Sequence, residues 1–167
     1  MLSSLELAIF VTAVIAVGAQ AETHTVTFTN LCGKGVLLDA FTFEQPTLKA
    51  NGVTLSTGGA YTSNGPLEGA IAYLDVSCGA NGEGCTMIET TLVNPTTAGS
   101  GSSTDITLIS PHSFSVTTGF GYYNGCDGAG ADCTSSSCST AFRVDSDSGV
   151  QVACQVDNVN LAITFCD

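Results

Sequence analysis

The chain has 167 residues and a formal net charge of −12, because 15 residues are aspartate or glutamate and only 3 are lysine or arginine. So acidic a surface repels phosphate backbones and anionic lipid headgroups, which argues against nucleic-acid partners and against membrane insertion. A neutral polysaccharide is not repelled by this charge and remains a possible ligand.

Residues 1–21 are predicted to be a signal peptide. The run 7–17 is almost wholly apolar, and Ala19 and Ala21 are the small residues that a signal peptidase recognises. A membrane anchor is the alternative, but the run is shorter than the ~20 residues needed to cross about 30 Å of hydrocarbon. We therefore expect a secreted, extracellular protein with one domain, residues 22–167.

Short segments that alternate between apolar and polar residues occupy the rest of the chain, and no long apolar stripe has the 3.6-residue period of a helix. Turn sequences such as Asn51-Gly52 and Asn124-Gly125 separate them, while 96–104 and 127–139 are expected to be loops. The strand candidates are 25–29, 36–43, 53–56, 70–76, 87–93, 105–109, 114–117, 150–153 and 160–165. About nine such strands predict an all-β fold, a two-sheet antiparallel β-sandwich.

All eight cysteines lie in the predicted mature chain, and an even number in an exported protein indicates a disulfide framework. A zinc site is the alternative, but neither histidine lies near Cys133-x₄-Cys138, the closest spacing to a zinc pair. A copper site of His24 and His112 would require cleavage after Thr23, which the Ala-Gln-Ala sequence does not favour. We expect no metal and no other cofactor. Sequence spacing alone leaves 105 pairings open for eight cysteines.

Four segments resemble the thaumatin-like family. Residues 24–32 resemble its first strand and first cysteine, 77–85 its glycine-rich disulfide loop, 105–109 followed by Phe114 its D-[IV]-S-L-V…F segment, and 154–166 its closing strand. The resemblance covers most of the mature chain, without the cysteine-rich middle domain of the full-size family. It implies a thaumatin-like β-sandwich with four bridges: Cys32–Cys166, Cys78–Cys85, Cys126–Cys154 and Cys133–Cys138.

Two segments, 22–30 and 119–133, resemble small secreted mushroom proteins that are often labelled glycopeptides, some of them described as immunomodulatory. This resemblance implies a non-enzymatic interaction protein of fungal type. Its partner would be a cell-wall glucan or a host-cell surface receptor.

The thaumatin-like resemblance also implies an acidic cleft of one arginine, one glutamate and three aspartates, which the family uses to bind β-1,3-glucan and in some members to hydrolyse it weakly. Glu89, in the segment 89–94, matches the glutamate, and Asp105 matches the first aspartate. Ser110 stands where the second aspartate is expected, and no arginine directly precedes Cys78. Two residues are candidates for the last acid: Asp132 and Asp145.

Two functions follow from these residues. Glycoside hydrolysis needs two carboxyl groups, about 5–5.5 Å apart for retention or about 6.5–9.5 Å for inversion, with one of them protonated. Glu89 as proton donor and Asp105 as second carboxylate would make a weak endo-β-1,3-glucanase or an antifungal thaumatin-like protein. The incomplete acidic set favours instead a ligand-binding role for both residues. Tyr122 and Tyr123 are further ligand-binding candidates because sugars stack on aromatic rings, the alternative being that these rings pack in the core.

Overall fold

The computed structural model describes residues 21–33 and 45–167. The predicted strand 36–43 and nearly all of the predicted signal peptide lie outside the described residues. The described part of the chain forms twelve β-strands and no helix. In chain order the strands are β1 (His24–Asn30), β2 (Pro46–Ala50), β3 (Val53–Thr57), β4 (Tyr61–Ser63), β5 (Leu67–Leu74), β6 (Met87–Leu92), β7 (Ser102–Thr107), β8 (Thr118–Tyr123), β9 (Gly130–Cys133), β10 (Ala141–Phe142), β11 (Val152–Cys154) and β12 (Asn160–Phe165).

The strands form two sheets. The five-stranded sheet has the order β4-β1-β12-β8-β9, and the seven-stranded sheet has the order β10-β7-β6-β5-β2-β3 with β11 also paired to β7. Strands β10 and β11 pair with opposite ends of β7, along the side of β7 that does not face β6. The predicted all-β, two-sheet fold is confirmed.

The sheets are mixed, so the prediction of wholly antiparallel pairing is wrong for two strand pairs. Strand β1 runs parallel to β12, with Val26 opposite Leu161 and Asn30 opposite Phe165, and β10 runs parallel to β7. Apolar alternation reports which face of a strand is buried but not the direction of its neighbour, and for this reason the sequence pattern missed the parallel pairs.

Five strands lie where the sequence predicted none, namely β2, β4, β8, β9 and β10. Strands β8 and β9 contain glycine, which is depleted in strands, so β propensity does not predict them. Here glycine is required: a Cβ on Gly130 of β9 would collide with the carbonyl oxygen of Phe120 on β8. The predicted strand 114–117 belongs to no ladder, and the predicted loop 96–104 contains the first half of β7.

Side chains from both sheets pack into one core between them. The five-stranded sheet contributes Val26, Leu161, Ile163 and Phe165, and the seven-stranded sheet contributes Leu48, Ile88, Leu92 and Ile106. The Tyr122 hydroxyl links the two sheets, because it forms hydrogen bonds of 2.9 Å with Thr104 Oγ1 and with the carbonyl oxygen of Val152. A buried phenol hydroxyl is thereby satisfied without water.

Four disulfides connect the strands and loops, and no cysteine is free. They join the pairs that the resemblance implied: Cys32–Cys166, Cys78–Cys85, Cys126–Cys154 and Cys133–Cys138. The parallel pairing of β1 with β12 explains the first of them, since both strands end at the same side of the sheet and each bridging cysteine lies within two residues of its strand's end. Among the described residues no helix could span a membrane.

Candidate functional site

Strands β6 and β7 place Glu89 and Asp105 side by side on the outer face of the seven-stranded sheet. Along β6, Ile88, Thr90 and Leu92 are buried on the core side, so Glu89 points away from the core. Asp105 is the residue directly opposite Glu89 in the antiparallel β6–β7 register. The Cβ atoms of residues paired in this way lie about 4.5–5.5 Å apart. The structure therefore brings together the two carboxyl groups that the sequence placed sixteen positions apart.

The pair lines a depression of about 260 Å³. The outward side chains around it are Ile71 on β5, Thr91 on β6, Ser103 on β7 and Gln151 just before β11. Gly69, which also lines the depression, occupies a β-bulge at which the register of β5 against β6 shifts, and its φ is 57°. Glycine adopts this left-handed conformation without strain, and bulges are frequent beside functional sites.

Asp105 is unusual among the acidic residues because it is only 6 % exposed although it points away from the core. Its Oδ2 accepts a long hydrogen bond of 3.5 Å from Gln151 Nε2. Its Oδ1 is buried and has no hydrogen-bond partner among the described residues. Burial, and secondly the negative charge of Glu89, raise the pKa of Asp105 to about 6, against a smaller lowering by the Gln151 hydrogen bond. Asp105 thus holds its proton in mildly acidic solution, where an ordinary aspartate is ionised.

No cationic side chain among the described residues neutralises the carboxyl pair. The ion pair found among the described residues joins His24 to Glu22, at the start of β1. Lys49 lies in the same cross-strand row, opposite Ile71 and hence two strands from Glu89. Its ammonium group donates instead to the Ala80 carbonyl at 2.6 Å and to Asn81 Oδ1 at 3.3 Å. The site is therefore acidic and suited to ligands that are not anions.

The two tyrosines expected at the ligand site lie elsewhere. Tyr122 is buried in the core, which is the alternative that the sequence left open for it, and its ring cannot stack on a ligand. Tyr123 is the next residue of β8 and so points to the outer face of the five-stranded sheet, where it is half-buried. The structure therefore joins Glu89 with Asp105 and separates both from Tyr123.

The remaining candidates also lie outside the depression. Asp132 is on β9, opposite Gly119 in the five-stranded sheet, and Asp145 is in the segment after β10. His24 is buried, with Nδ1 2.7 Å from the Val159 carbonyl oxygen and Nε2 3.0 Å from a Glu22 carboxylate oxygen. Both of its ring nitrogens are engaged, so it is not placed to bind copper. The part of the chain that the structure describes contains no group of three or more metal-ligating side chains.

Sequence reasoning missed Ile71, Thr91, Ser103 and Gln151. Alternation along 150–153 places Gln151 on one face of a strand, but it does not say which strand will be its neighbour. The contact between Gln151 and Asp105 joins residues 46 positions apart. Only the pairing of β11 with β7 creates it.

No protein-family model matches the chain, and no curated protein matches it significantly.

Proposed function

We propose that the protein is a secreted, non-enzymatic interaction module of fungal type that binds a neutral β-glucan of the cell wall through the depression around Glu89 and Asp105. The observation that carries this proposal is the cross-strand carboxyl pair in a depression whose other polar groups are hydroxyls and an amide. Sugar hydroxyls both donate and accept hydrogen bonds. A protonated Asp105 would donate to them, and Glu89 would accept from them.

The surroundings of the pair support a neutral ligand rather than a charged one. Two carboxyl groups without a cationic neighbour disfavour anions such as phosphate esters or uronic acids. Thr91 and Ser103 add short hydroxyl groups to the lining of the depression, and Ile71 adds an apolar surface for the C–H face of a sugar ring. This composition fits the general pattern of small-ligand sites, in which a few polar groups fix orientation.

The disulfides support an extracellular setting for this function. Disulfides form and persist in oxidising compartments and are rare in the cytosol. Four of them in one small β domain fit a protein that works outside the cell.

Sedimentation with insoluble β-1,3-glucan tests the proposal. We expect the purified protein to sediment with the particles at pH 5 without releasing reducing ends. Glu89→Gln should weaken sedimentation by about threefold to tenfold, because the neutral amide oxygen accepts a hydrogen bond that is weaker by about 1 kcal/mol than one to a carboxylate. Asp145→Asn removes an exposed acid outside the depression and serves as the matched control. Equal sedimentation of Glu89→Gln and Asp145→Asn would show that the depression is not the glucan site.

A weak endo-β-1,3-glucanase is the second candidate, favoured by the raised pKa of Asp105. The sequence assigned the proton donor to Glu89, but the buried Asp105 is the better acid and the exposed Glu89 the better second carboxylate. Release of reducing ends from soluble β-1,3-glucan that Asp105→Asn abolishes would support the enzyme over the module.

A host-cell surface receptor is the alternative partner, and an immunomodulatory or antifungal activity the alternative outcome, both on the basis of resemblance alone. A protein that neither sediments with glucan nor releases reducing ends would favour these alternatives over glucan binding. Stimulation of cultured immune cells by the folded protein, and not by the reduced protein, would then be the measurement to make.

A further inference from the structure

The carboxyl group of Asp105 is placed in an environment that disfavours its ionised form. It is 94 % removed from solvent, its Oδ1 lacks a hydrogen-bond partner among the described residues, and its Oδ2 receives only the 3.5 Å contact from Gln151. A buried ionised carboxylate needs several hydrogen bonds or a cation, and the described residues supply neither to Asp105. The group can satisfy this environment by carrying a proton.

The groups that face Asp105 come from three elements. Glu89 faces it across the ladder from β6, neutral Gln151 contacts it from the segment before β11, and the hydroxyl of Tyr122 on β8 hydrogen-bonds to Thr104, the residue before Asp105. Tyr122 is neutral in this range, because burial raises the pKa of its hydroxyl to about 12. Among the described residues, the neighbour whose charge acts on Asp105 is therefore Glu89, and a carboxylate charge there has the same sign.

We propose that Glu89 and Asp105 hold one proton between them in mildly acidic solution, mainly on Asp105, and that this proton controls ligand binding at the depression. The second half of the proposal rests on the proposed function, since it assigns a regulation to the same site. Two interacting carboxyl groups titrate as a pair, the first ionisation making the second more difficult.

Protonation changes what the site offers to a ligand. With one proton, the pair has one hydrogen-bond donor, several acceptors and a charge of −1, which complements a neutral hydroxyl group that donates and accepts. Without a proton, the pair has only hydrogen-bond acceptors and a charge of −2, and it is more strongly hydrated. The glucan-binding form is thus the singly protonated one, and the apparent affinity follows its population.

Carbon-13 NMR of the side-chain carboxyl carbons, recorded from pH 3 to pH 8, tests the shared proton directly. We expect the Asp105 Cγ resonance to titrate with a midpoint at least one pH unit above that of an ordinary aspartate. Glu89→Gln should lower this midpoint, because it removes the like charge, and Asp145→Asn should leave it unchanged. An ordinary midpoint for Asp105, or one that does not respond to Glu89→Gln, overturns the proposal.

Binding of laminarin, a soluble neutral β-1,3-glucan, tests the control of the ligand. Above the Asp105 midpoint the affinity of the wild type should fall about tenfold per pH unit, as the competent form is depleted. Asp105→Asn places a permanent amide donor at the same position and should bind with an affinity that is constant over this range. The same pH dependence in wild type and Asp105→Asn would overturn the regulatory role. If laminarin does not bind at any pH, the proposed function fails, whereas the NMR titration still decides whether the pair shares a proton.

Discussion

Asp105 has an environment that its outward orientation would not predict. Residues on the outer face of a sheet are normally solvated, but β10, β11 and Gln151 lie along the same side of β7 and leave this carboxyl group 6 % exposed. Its neighbour Glu89 is exposed on the adjacent strand. Two carboxyl groups one ladder position apart therefore differ in solvation, and this difference gives them different chemical roles.

The stability of the protein should depend on pH through Asp105. Its pKa is about 6 in the folded state and about 3.8 when exposed, so between these values the native state holds a proton that the unfolded state has lost. The contribution to the free energy of unfolding is complete below pH 4 and is lost as the pH rises through 6. For a shift of this size the loss is about 2–3 kcal/mol.

Urea unfolding at pH 4 and pH 7 measures this contribution. Asp105→Asn cannot ionise, so we expect it to gain about 2–3 kcal/mol relative to the wild type between pH 4 and pH 7. Asp145→Asn should show the wild-type pH dependence. Parallel pH profiles of the wild type and Asp105→Asn would contradict the burial of an ionisable group at this position.

The pair β8 and β9 depends on glycine rather than on residues with high β propensity. The backbones of the two strands approach each other closely at Gly130, so that no side chain fits between them. The same pairing carries Tyr122, whose hydroxyl links the two sheets. We therefore expect a substitution at Gly130 to weaken the contact between the two sheets as well as the pairing of β8 with β9.

Gly130→Ala should destabilise the protein by about 1–3 kcal/mol, because the new Cβ meets the backbone of Phe120, which cannot move aside as a side chain could. Gly59→Ala is the matched control: nothing lies within 4 Å of its Cβ position, and the effect should stay within about 0.5 kcal/mol. Guanidinium unfolding of both variants provides the comparison. Equal stabilities of the two would show that β9 pairs with β8 less closely than the structure has it.

At the scale of the whole molecule, the first and last strands are neighbours in the interior of the five-stranded sheet. Strand β12 lies between β1 and β8, and the Cys32–Cys166 bridge joins residues 134 positions apart. Near the start of β1, the Glu22 carboxylate accepts hydrogen bonds from the Asn94 backbone at 2.7 Å and from His24. Glu22, where the mature chain is predicted to begin, is thus hydrogen-bonded to the folded domain. The cleavage site itself is a prediction from the sequence.

Removal of individual bridges should reveal how much each contributes. In the chain-entropy model a bridge over 134 positions is worth about 5 kcal/mol and one over 5 positions about 2 kcal/mol. We expect the double alanine variant of Cys32 and Cys166 to lose about 3 kcal/mol more stability than that of Cys133 and Cys138. Thermal unfolding of both variants, followed by near-ultraviolet circular dichroism, tests this order. The reverse order would show that local constraint in the Cys133–Cys138 loop outweighs loop length.

The amino-acid sequence by itself determined an all-β fold with eight paired cysteines, because alternation and turn residues act over a few positions. It also indicated Glu89 and Asp105, on the basis of resemblance. Tertiary structure alone decided the parallel pairing of β1 with β12, the burial of Asp105 beneath Gln151 and the place of Tyr122 in the core. These features depend on which strands become neighbours and in what register, and contacts between residues far apart in the chain determine both.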